Sequence, residues 1–216
     1  MNWNRYLGEL LGTFTLVFIG SMSILAANNM TAPILAVVPF GFGLALLAGI
    51  FAVGYRSGGH FNPAVSVAMF LDGRLGFTDM LMYWVFQILG ALGASAAILA
   101  VTDQATVATT ATTFTDSTVA LVTEIALTTI FVLVIVAATR KAPAVAGFVI
   151  PLTLVAVHLA GIPFSGASVN PARSIGPAVV GNVYGGLWVY LVGPMVGGLL
   201  AWVLWRITRE EADATS

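Results

Sequence analysis

The tripeptide Asn62-Pro63-Ala64 recurs as Asn170-Pro171-Ala172, 108 positions further along the chain. Each copy sits at the start of a short apolar stretch, and these stretches run from Phe61 to Leu71 and from Val169 to Val180. Asparagine is a favoured N-cap, and proline is favoured at the first helical position because its missing N–H would have no partner there. The repeated tripeptide therefore predicts two helices, each starting at its asparagine.

These two helices are too short to cross a membrane. A bilayer core requires about 20 apolar residues per helix, and stretches of about a dozen are typical of re-entrant segments. Six other segments are long and apolar enough to span: Tyr6–Ala27, Ala32–Tyr55, Met80–Val101, Thr118–Thr139, Ala142–Gly161 and Tyr184–Trp205. The sequence thus predicts an all-α membrane protein with six transmembrane helices and two re-entrant half-helices.

The composition agrees with a membrane protein and excludes several functions. Hydrophobic residues make up 59% of the 216 residues and charged residues 8%, whereas a soluble domain carries roughly three times that share of charge. The chain has no cysteine, which rules out disulfides and thiolate metal sites. The net charge of −1 argues against a nucleic-acid partner. The two histidines, His60 and His158, have no obvious carboxylate partner, so we expect no enzyme activity, metal site or cofactor.

The basic residues predict the orientation. If six helices are threaded with the N-terminus inside, seven of the eight basic residues fall on the cytoplasmic side: Arg5, Arg56, Arg74, Arg140, Lys141, Arg206 and Arg209. The outer loops 28–31 and 102–117 hold no Lys or Arg. This positive-inside pattern places both termini in the cytoplasm and the protein in the cell membrane. Arg173 is the exception, and an intramembrane arginine usually faces water or a partner. Aromatic residues near the span ends, Tyr83 among them, are interpreted as interfacial anchors.

The chain divides into two similar halves within one membrane domain covering 1–216. The halves are about 1–101 and 118–208, joined by a threonine-rich outer linker at 102–117. Glu9 and Glu124, each early in a helix, are 115 positions apart. Because each half has three spans, an odd number, the halves must be inverted relative to each other. The half-helices then enter from opposite faces, and we expect their asparagines to meet near the middle of the membrane.

The stretches GGHFNPAV, starting at Gly58, and SVNPARS, starting at Ser168, resemble the two signature loops of the aquaporin (major intrinsic protein) family. Two copies, one per inverted half, with Arg173 three positions after the second asparagine, make a specific match. The resemblance extends from Glu9 to Gly198. It implies a passive water channel that excludes ions and protons, with water as the permeant, the lipid bilayer around it and assembly as a homotetramer.

The same resemblance implies a selectivity filter. Matched by motif spacing, its four positions are Phe42, His158, Ala167 and Arg173. An aromatic, a histidine, a small residue and an arginine resemble a water-selective constriction, in which His and Arg narrow the pore and supply hydrogen-bond donors. The alternative interpretations are a histidine buried in the core and an arginine that reaches a membrane interface.

Two physical terms exclude ions from such a pore. Each helix N-terminus carries about half a positive charge, and two of them repel a monovalent cation by about 3 kcal/mol at ~5 Å and an effective dielectric of ~20. Desolvation in a narrow apolar pore adds at least several kcal/mol. An asparagine amide can also donate to water. A water held by both donors has no lone pair left for a proton, although both asparagines could simply be helix caps.

The buried acids are interpreted as supports for the two loops. Non-helical backbone at membrane depth needs hydrogen-bond partners, and Glu9 and Glu124, helped by Gln87, can accept from loop N–H groups; a proton relay is the alternative. The loop carbonyls would form a ladder of acceptors for water. They belong to Gly58, Gly59, His60, Phe61, Gly166, Ala167, Ser168 and Val169.

Two rival functions remain open. A facilitator for glycerol or another small neutral solute is the nearer one, since Leu191 and the small Ala167 are less typical of water channels. A coupled secondary transporter also uses inverted repeats and broken helices. It would need a coupling site at the midplane, where the Asn-Pro-Ala pair offers no acidic group.

Overall fold

The computed structural model of the protein describes residues 2–209. Every regular element in this range is a helix. In chain order they are α1 Trp3–Asn29, α2 Ile34–Ser57, α3 Pro63–Leu71, α4 Phe77–Leu99, α5 Gln104–Ala108, α6 Ser117–Lys141, α7 Pro143–Ser165, α8 Pro171–Val180 and α9 Leu187–Thr208. The C-terminal end of the chain, which the orientation argument places in the cytoplasm, lies outside the described residues.

Six of these helices, α1, α2, α4, α6, α7 and α9, are long and apolar enough to cross a membrane. They are the six spans that the sequence predicts, with ends that differ by a few residues. α6, for example, continues through Arg140 and Lys141, because cations are favourable beside the negative end of the helix dipole.

The two half-helices begin as their caps predict. The side-chain oxygen of Asn62 accepts a hydrogen bond from Ala64 N at 2.9 Å, and Pro63 is the first residue of α3. Asn170 does the same for α8, accepting from Ala172 N at 3.0 Å. With six spans and two short helices between them, the fold is the predicted one.

The two halves interlock through these half-helices. α3 packs against α9 of the other half, and α8 packs against α4. Small residues allow the contact: a Cβ added at Gly198 on α9 would lie 2.7 Å from the carbonyl oxygen of Ala64, and one at Gly176 on α8 would lie 2.5 Å from that of Ala91. Side chains at either glycine would force the half-helices out of place.

Two local features were not predicted. α2 widens into a π-helical turn at Ile50–Gly54, just before the first loop. The linker 102–117 contains α5, whose N-cap is Asp103. The backbone N–H of Thr106 donates to that carboxylate and lowers the pKa of Asp103. Both features are short, and neither a one-turn helix nor a π turn produces a periodic pattern in the sequence.

Candidate functional site

Each half-helix is preceded by a loop in an unusual backbone conformation. In the first loop, residues 58–61, Phe61 has φ 48°, and in the second, residues 166–169, Ala167 has φ 48° and Val169 has φ 45°. Glycines occupy other left-handed positions of both loops. A left-handed conformation costs a residue with a Cβ about 1–2 kcal/mol. The surrounding contacts must therefore hold both loops.

A buried carboxylate binds each loop. Glu9 accepts from His60 N at 3.0 Å and from Phe61 N at 2.7 Å. Glu124 accepts from Ser168 N at 2.8 Å and from Val169 N at 2.7 Å. Both carboxylates are fully buried, so the loop amides and the acids satisfy each other where water cannot.

Each carboxylate also has side-chain partners: equivalent serines, Ser57 for Glu9 and Ser165 for Glu124, and Gln87 for Glu9 alone. Gln87 Nε2 donates to Glu9 at 2.7 Å and lies 3.1 Å from the hydroxyl of Ser66. The hydroxyl of Ser165 donates to Glu124 at 2.8 Å. The support that the sequence assigns to Gln87 therefore acts on Glu9 rather than on the loop backbone directly.

The two asparagines meet at the centre of the molecule and cross-link the halves. Asn62 Nδ2 donates to the carbonyl of Val169 at 2.7 Å, and Asn170 Nδ2 donates to that of Phe61 at 2.8 Å. Each side-chain oxygen accepts from its own half-helix, so the orientation of both amides is fixed. One hydrogen of each NH₂ is used in this way and one remains. Two of the eight carbonyls predicted to serve water thus already accept an asparagine.

A narrow cavity passes between the asparagines. The space open to the centre of a water-sized sphere is about 20 Å³. By the same measure a cavity that holds a single water needs at least about 10–15 Å³. The cavity therefore takes water in single file at most. It is lined by Leu16, Phe42, Leu46, His60, Asn62, Phe131, Leu154, His158, Ser168, Val169, Asn170 and Arg173.

Three of the four predicted filter residues come together on this cavity. The rings of Phe42 and His158 stack with centroids 4.8 Å apart and planes 20° apart. The guanidinium carbon of Arg173 lies 4.8 Å from the centroid of the Phe42 ring. Arg173 Nη1 donates to the carbonyl of Thr110 in the linker at 3.2 Å. Ala167 does not line the cavity. It is fully buried, and a Cβ added at Gly161 would lie 2.9 Å from its methyl group.

The polar groups of this constriction differ in one respect from the prediction. His158 Nδ1 lies 2.9 Å from the carbonyl oxygen of Leu154, which can only accept, so Nδ1 carries the hydrogen. In the neutral ring Nε2 is then an acceptor, and it has no protein partner among the described residues. Arg173 Nε is likewise buried and unpartnered within residues 2–209. The constriction thus offers an acceptor from His158 and a donor from Arg173.

The narrow cavity opens into wider ones at both ends. A threonine-rich vestibule of about 160 Å³ shares Arg173 with it and is lined by Thr109, Thr112 and Thr113 of the linker. At the other end, His60 also lines two wider cavities. The larger of these, about 310 Å³, we name the basic vestibule; it is lined by Arg5, Arg56, Ser57, Gly58, His60, Met69, Arg74 and Thr139. A path through the molecule follows, with its narrowest part between Arg173 and His60.

Sequence reasoning missed four residues that hold the loops. The hydroxyl of Tyr83 donates to Ser57 O at 2.6 Å, and that of Tyr190 donates to Ser165 O at 2.7 Å. Tyr83 is fully buried, so the interpretation of it as an interfacial anchor is wrong. The tyrosines are 107 positions apart and the serines 108. The repeat spacing was therefore the signal that could have found them.

Comparison with known proteins agrees with this arrangement. Residues 1–205 match the family described as Major intrinsic protein. Aquaporin Z of Rhodopseudomonas palustris is 37% identical over 98% of this chain and 95% of its own length. Glycerol uptake facilitator protein-like 6 of Lactiplantibacillus plantarum is also 37% identical, over 96% of this chain and 99% of its own length.

The fold has a counterpart among solved structures. The X-ray structure of the aquaglyceroporin from Plasmodium falciparum superposes with a TM-score of 0.86 and covers 100% of both chains. The sequence identity of 23% limits this similarity to the fold, with six spans and two half-helices.

Proposed function

This chain belongs to the major intrinsic protein family of multi-pass membrane channels, and we propose that within the family it is a passive water channel that excludes ions and protons. The observation that carries the proposal is the size of the constriction. A cavity of about 20 Å³ leaves room for one water at a time. The stacked rings of Phe42 and His158 leave little width for a molecule with a carbon chain.

The polar groups along the path replace the hydrogen bonds of bulk water. Arg173 donates at one side of the constriction, and the free nitrogen of His158 accepts. The remaining hydrogens of Asn62 and Asn170 donate at the centre. Water that keeps its hydrogen bonds crosses with a small activation energy, which supports fast passive flow.

The same groups exclude cations and protons. The buried guanidinium of Arg173 and the positive ends of α3 and α8 face the path, and a cation must also lose its water. A water that accepts from both asparagines has both lone pairs occupied and cannot accept a proton. We therefore assign the pore role to Asn62 and Asn170 together with their helices.

A facilitator for glycerol or another small neutral solute is the second candidate. One comparison favours it: a relative is named as a glycerol uptake facilitator-like protein. Leu191 points the same way, whereas Ala167 does not line the narrow cavity. The stacked pair Phe42 and His158 favours water, because an open glycerol path would need that space.

Stopped-flow light scattering on proteoliposomes distinguishes the two candidates. We expect the wild-type protein to pass water with weak temperature dependence and to pass glycerol poorly. The double variant Phe42→Ala with His158→Ala widens the constriction and should admit glycerol or urea while water still flows. The matched control is Phe40→Ala, two positions away on α2 and exposed outside the cavity, which should leave both fluxes unchanged. Wild-type glycerol flux equal to that of a glycerol channel would contradict water selectivity.

A coupled secondary transporter predicts a different dependence. Flux through a passive channel follows only the gradient of the permeant, whereas a coupled transporter responds to an ion or proton gradient. We expect water flux to stay the same when sodium, potassium or pH gradients are imposed across the vesicle. We also infer that the protein transports without catalysing a reaction.

We further propose a homotetramer in the cell membrane with both termini in the cytoplasm. The exposed large apolar residues on the long helices, such as Leu44, Leu152 and Leu204, need lipid or another copy around them. The basic residues at one end support the orientation. An N-terminal tag that impermeant reagents reach in intact cells would contradict it, and the mass of the detergent-solubilised protein tests the assembly.

A further inference from the structure

Arginine side chains, and no carboxylate among the described residues, line the basic vestibule. Arg5, Arg56 and Arg74 form its wall, together with His60 and Gly58 of the first loop. Its volume of about 310 Å³ is far larger than a single water requires. It is the wide chamber that a solute reaches before the narrow cavity.

Two carboxylates stand just outside this wall, and they do not balance its charge. Asp79 accepts from Arg5 Nη1 at 3.0 Å. A single oxygen of Asp72 is shared by two arginines: it accepts from Arg140 at 3.0 Å and lies 2.9 Å from Arg74 Nε. A third, Glu9, lies behind the wall and accepts from the N–H of His60 at 3.0 Å. Arg56 is a further positive charge, so four guanidinium groups stand near three carboxylates.

Two of the lining arginines, Arg74 and Arg56, are not fully paired with protein groups. Arg74 Nη1 donates to Thr139 at 2.7 Å and its Nε is paired with Asp72, while its buried Nη2 has no hydrogen-bond partner in the described part of the chain. Arg56 donates to the hydroxyl of Tyr55 at 2.8 Å and lies 5.1 Å from the centroid of that ring. These partners of Arg56 are neutral. A guanidinium without a full set of partners is suited to an oxyanion, which accepts its planar fork of N–H groups.

We propose that the basic vestibule binds a phosphate-type oxyanion, either inorganic phosphate or the phosphate of an anionic lipid headgroup, and that the bound anion obstructs the entry of water. Arg56 and Arg74 would hold it, with Arg5 completing the positive wall. His60 and Gly58 connect this chamber to the narrow path. An anion seated there covers the entrance to the path, and its own hydration shell competes for the entering water.

Binding is tested first, on the detergent-solubilised protein and independently of any flux. Isothermal titration with inorganic phosphate should show saturable binding that chloride at equal ionic strength does not. Arg56→Gln should weaken it about tenfold, since a charged hydrogen bond is lost. Arg56→Lys, which keeps the charge and loses the fork, should be intermediate. The matched control is Arg206→Gln, at the end of α9 where Arg206 stacks on Trp202, and it should bind as the wild type does.

Two results would overturn the site. Equal weakening by Arg206→Gln would mean that phosphate responds only to overall charge. Chloride binding of the same strength would remove the oxyanion specificity. Because Arg56 is exposed and has no acidic partner in the described structure, its substitution does not break an ion pair. Arg74→Gln provides a second variant with the same expected loss.

The obstruction rests on the proposed function and is tested by water flux. In phosphatidylcholine vesicles with equal phosphate on both faces, so that insertion direction does not matter, water permeability should fall as phosphate rises. The Arg206→Gln protein should show the same fall and the Arg56→Gln protein a much smaller one. In phosphate-free buffer, vesicles that contain phosphatidylglycerol test the headgroup as the source of the anion.

The outcomes separate the two proposals. A fall in water permeability with phosphate alone identifies free phosphate as the bound anion. A fall with phosphatidylglycerol alone identifies the lipid headgroup. If phosphate binds but water permeability falls neither with phosphate nor with phosphatidylglycerol, the proposed obstruction is wrong. An absence of water flux even in phosphatidylcholine vesicles without phosphate would instead contradict the water-channel proposal, and the titration would still decide whether the site exists.

Discussion

The loop before α3 and the loop before α8 have the same scaffold and present different groups to the cavity. Both are held by a buried glutamate, both are capped by an asparagine, and both receive a tyrosine hydroxyl on the serine that precedes them. The first loop adds Gln87 behind its glutamate, whereas the corresponding position of the second half is Pro194. The second adds Arg173, where the first has Val65.

This difference distinguishes the residues that hold the loops from the residues that line the constriction. The features that repeat are those that keep left-handed backbone in place at membrane depth. The feature that faces the constriction, Arg173, occurs only once, and so do its partners Phe42 and His158. An inverted repeat places equivalent positions on opposite faces of the membrane, so the proposed filter would act at one end of the path.

The largest effect is expected where the second loop is made to resemble the first. Arg173→Val copies the residue at position 65 and removes the one charged side chain that lines the narrow cavity within residues 2–209. At ~5 Å and an effective dielectric of ~20 this charge opposes a cation by about 3 kcal/mol, so proton or small-cation leak should rise about 100-fold. Proton flux measured with a pH dye in proteoliposomes tests this. Val65→Ala is the control, and a leak no greater than that of the control would contradict the assignment.

The support found only in the first half is removed by Gln87→Ala. Glu9 loses a charge-assisted hydrogen bond in a fully buried site, which should lower the free energy of unfolding by about 1–3 kcal/mol. Titration of unfolding with sodium dodecyl sulfate measures the change. Gln104→Ala, which removes an exposed amide that donates to Val180 O at 3.3 Å, should have almost no effect. Equal losses in the two variants would mean that Gln87 is not a support.

Gly59 and Ala167 occupy equivalent backbone positions in the two loops and differ by one methyl group. We expect the two positions to differ in how well they tolerate the exchange of glycine and alanine. Gly59 has φ 67°, and an added Cβ would meet its neighbours only at ordinary contact distance, 3.4 Å or more. Gly59→Ala should therefore cost only the left-handed strain, about 1–2 kcal/mol. Ala167→Gly relieves that strain but loses a buried methyl group and makes the unfolded chain more flexible. It should change the stability by less than about 0.5 kcal/mol. The same detergent titration compares them, and a larger loss for Ala167→Gly would reverse the argument.

Small effects are also expected from the two tyrosines. Tyr83→Phe and Tyr190→Phe each remove one hydroxyl that donates to a serine carbonyl, at a cost of about 1 kcal/mol. Tyr83 should lose somewhat more, because the second partner of its hydroxyl, Arg5 Nε at 3.1 Å, is charged, whereas the second partner of the Tyr190 hydroxyl, Thr112, is neutral. Thermal unfolding followed by size-exclusion chromatography ranks the two variants. Tyr55→Phe, with an exposed ring, is the control, and a ranking in which it loses most would contradict the role of both buried tyrosines.

The sequence alone determined the architecture. Hydrophobic length gives the six spans directly, because a bilayer imposes one requirement on every helix that crosses it. The caps and prolines give the starts of α3 and α8, because those signals act within one turn of the chain. The repeated tripeptide and the odd number of spans per half then require inverted halves. The sequence predicts Asn62 and Asn170 as pore residues because they lie inside the repeated motif, and Arg173 because it directly follows the second copy.

Only the tertiary structure decided how the halves engage. The bonds from Asn62 to Val169 and from Asn170 to Phe61 join residues more than 100 positions apart, and the packing of α8 on α4 depends on the approach of two backbones. The spare nitrogen of His158 follows from a carbonyl one turn earlier. The arginines of the basic vestibule gather from three separate segments of the chain. Local signals in a sequence indicate how a residue affects its own helix. Contacts between residues distant in the chain depend on the packing of the helices, which exists only in the folded protein.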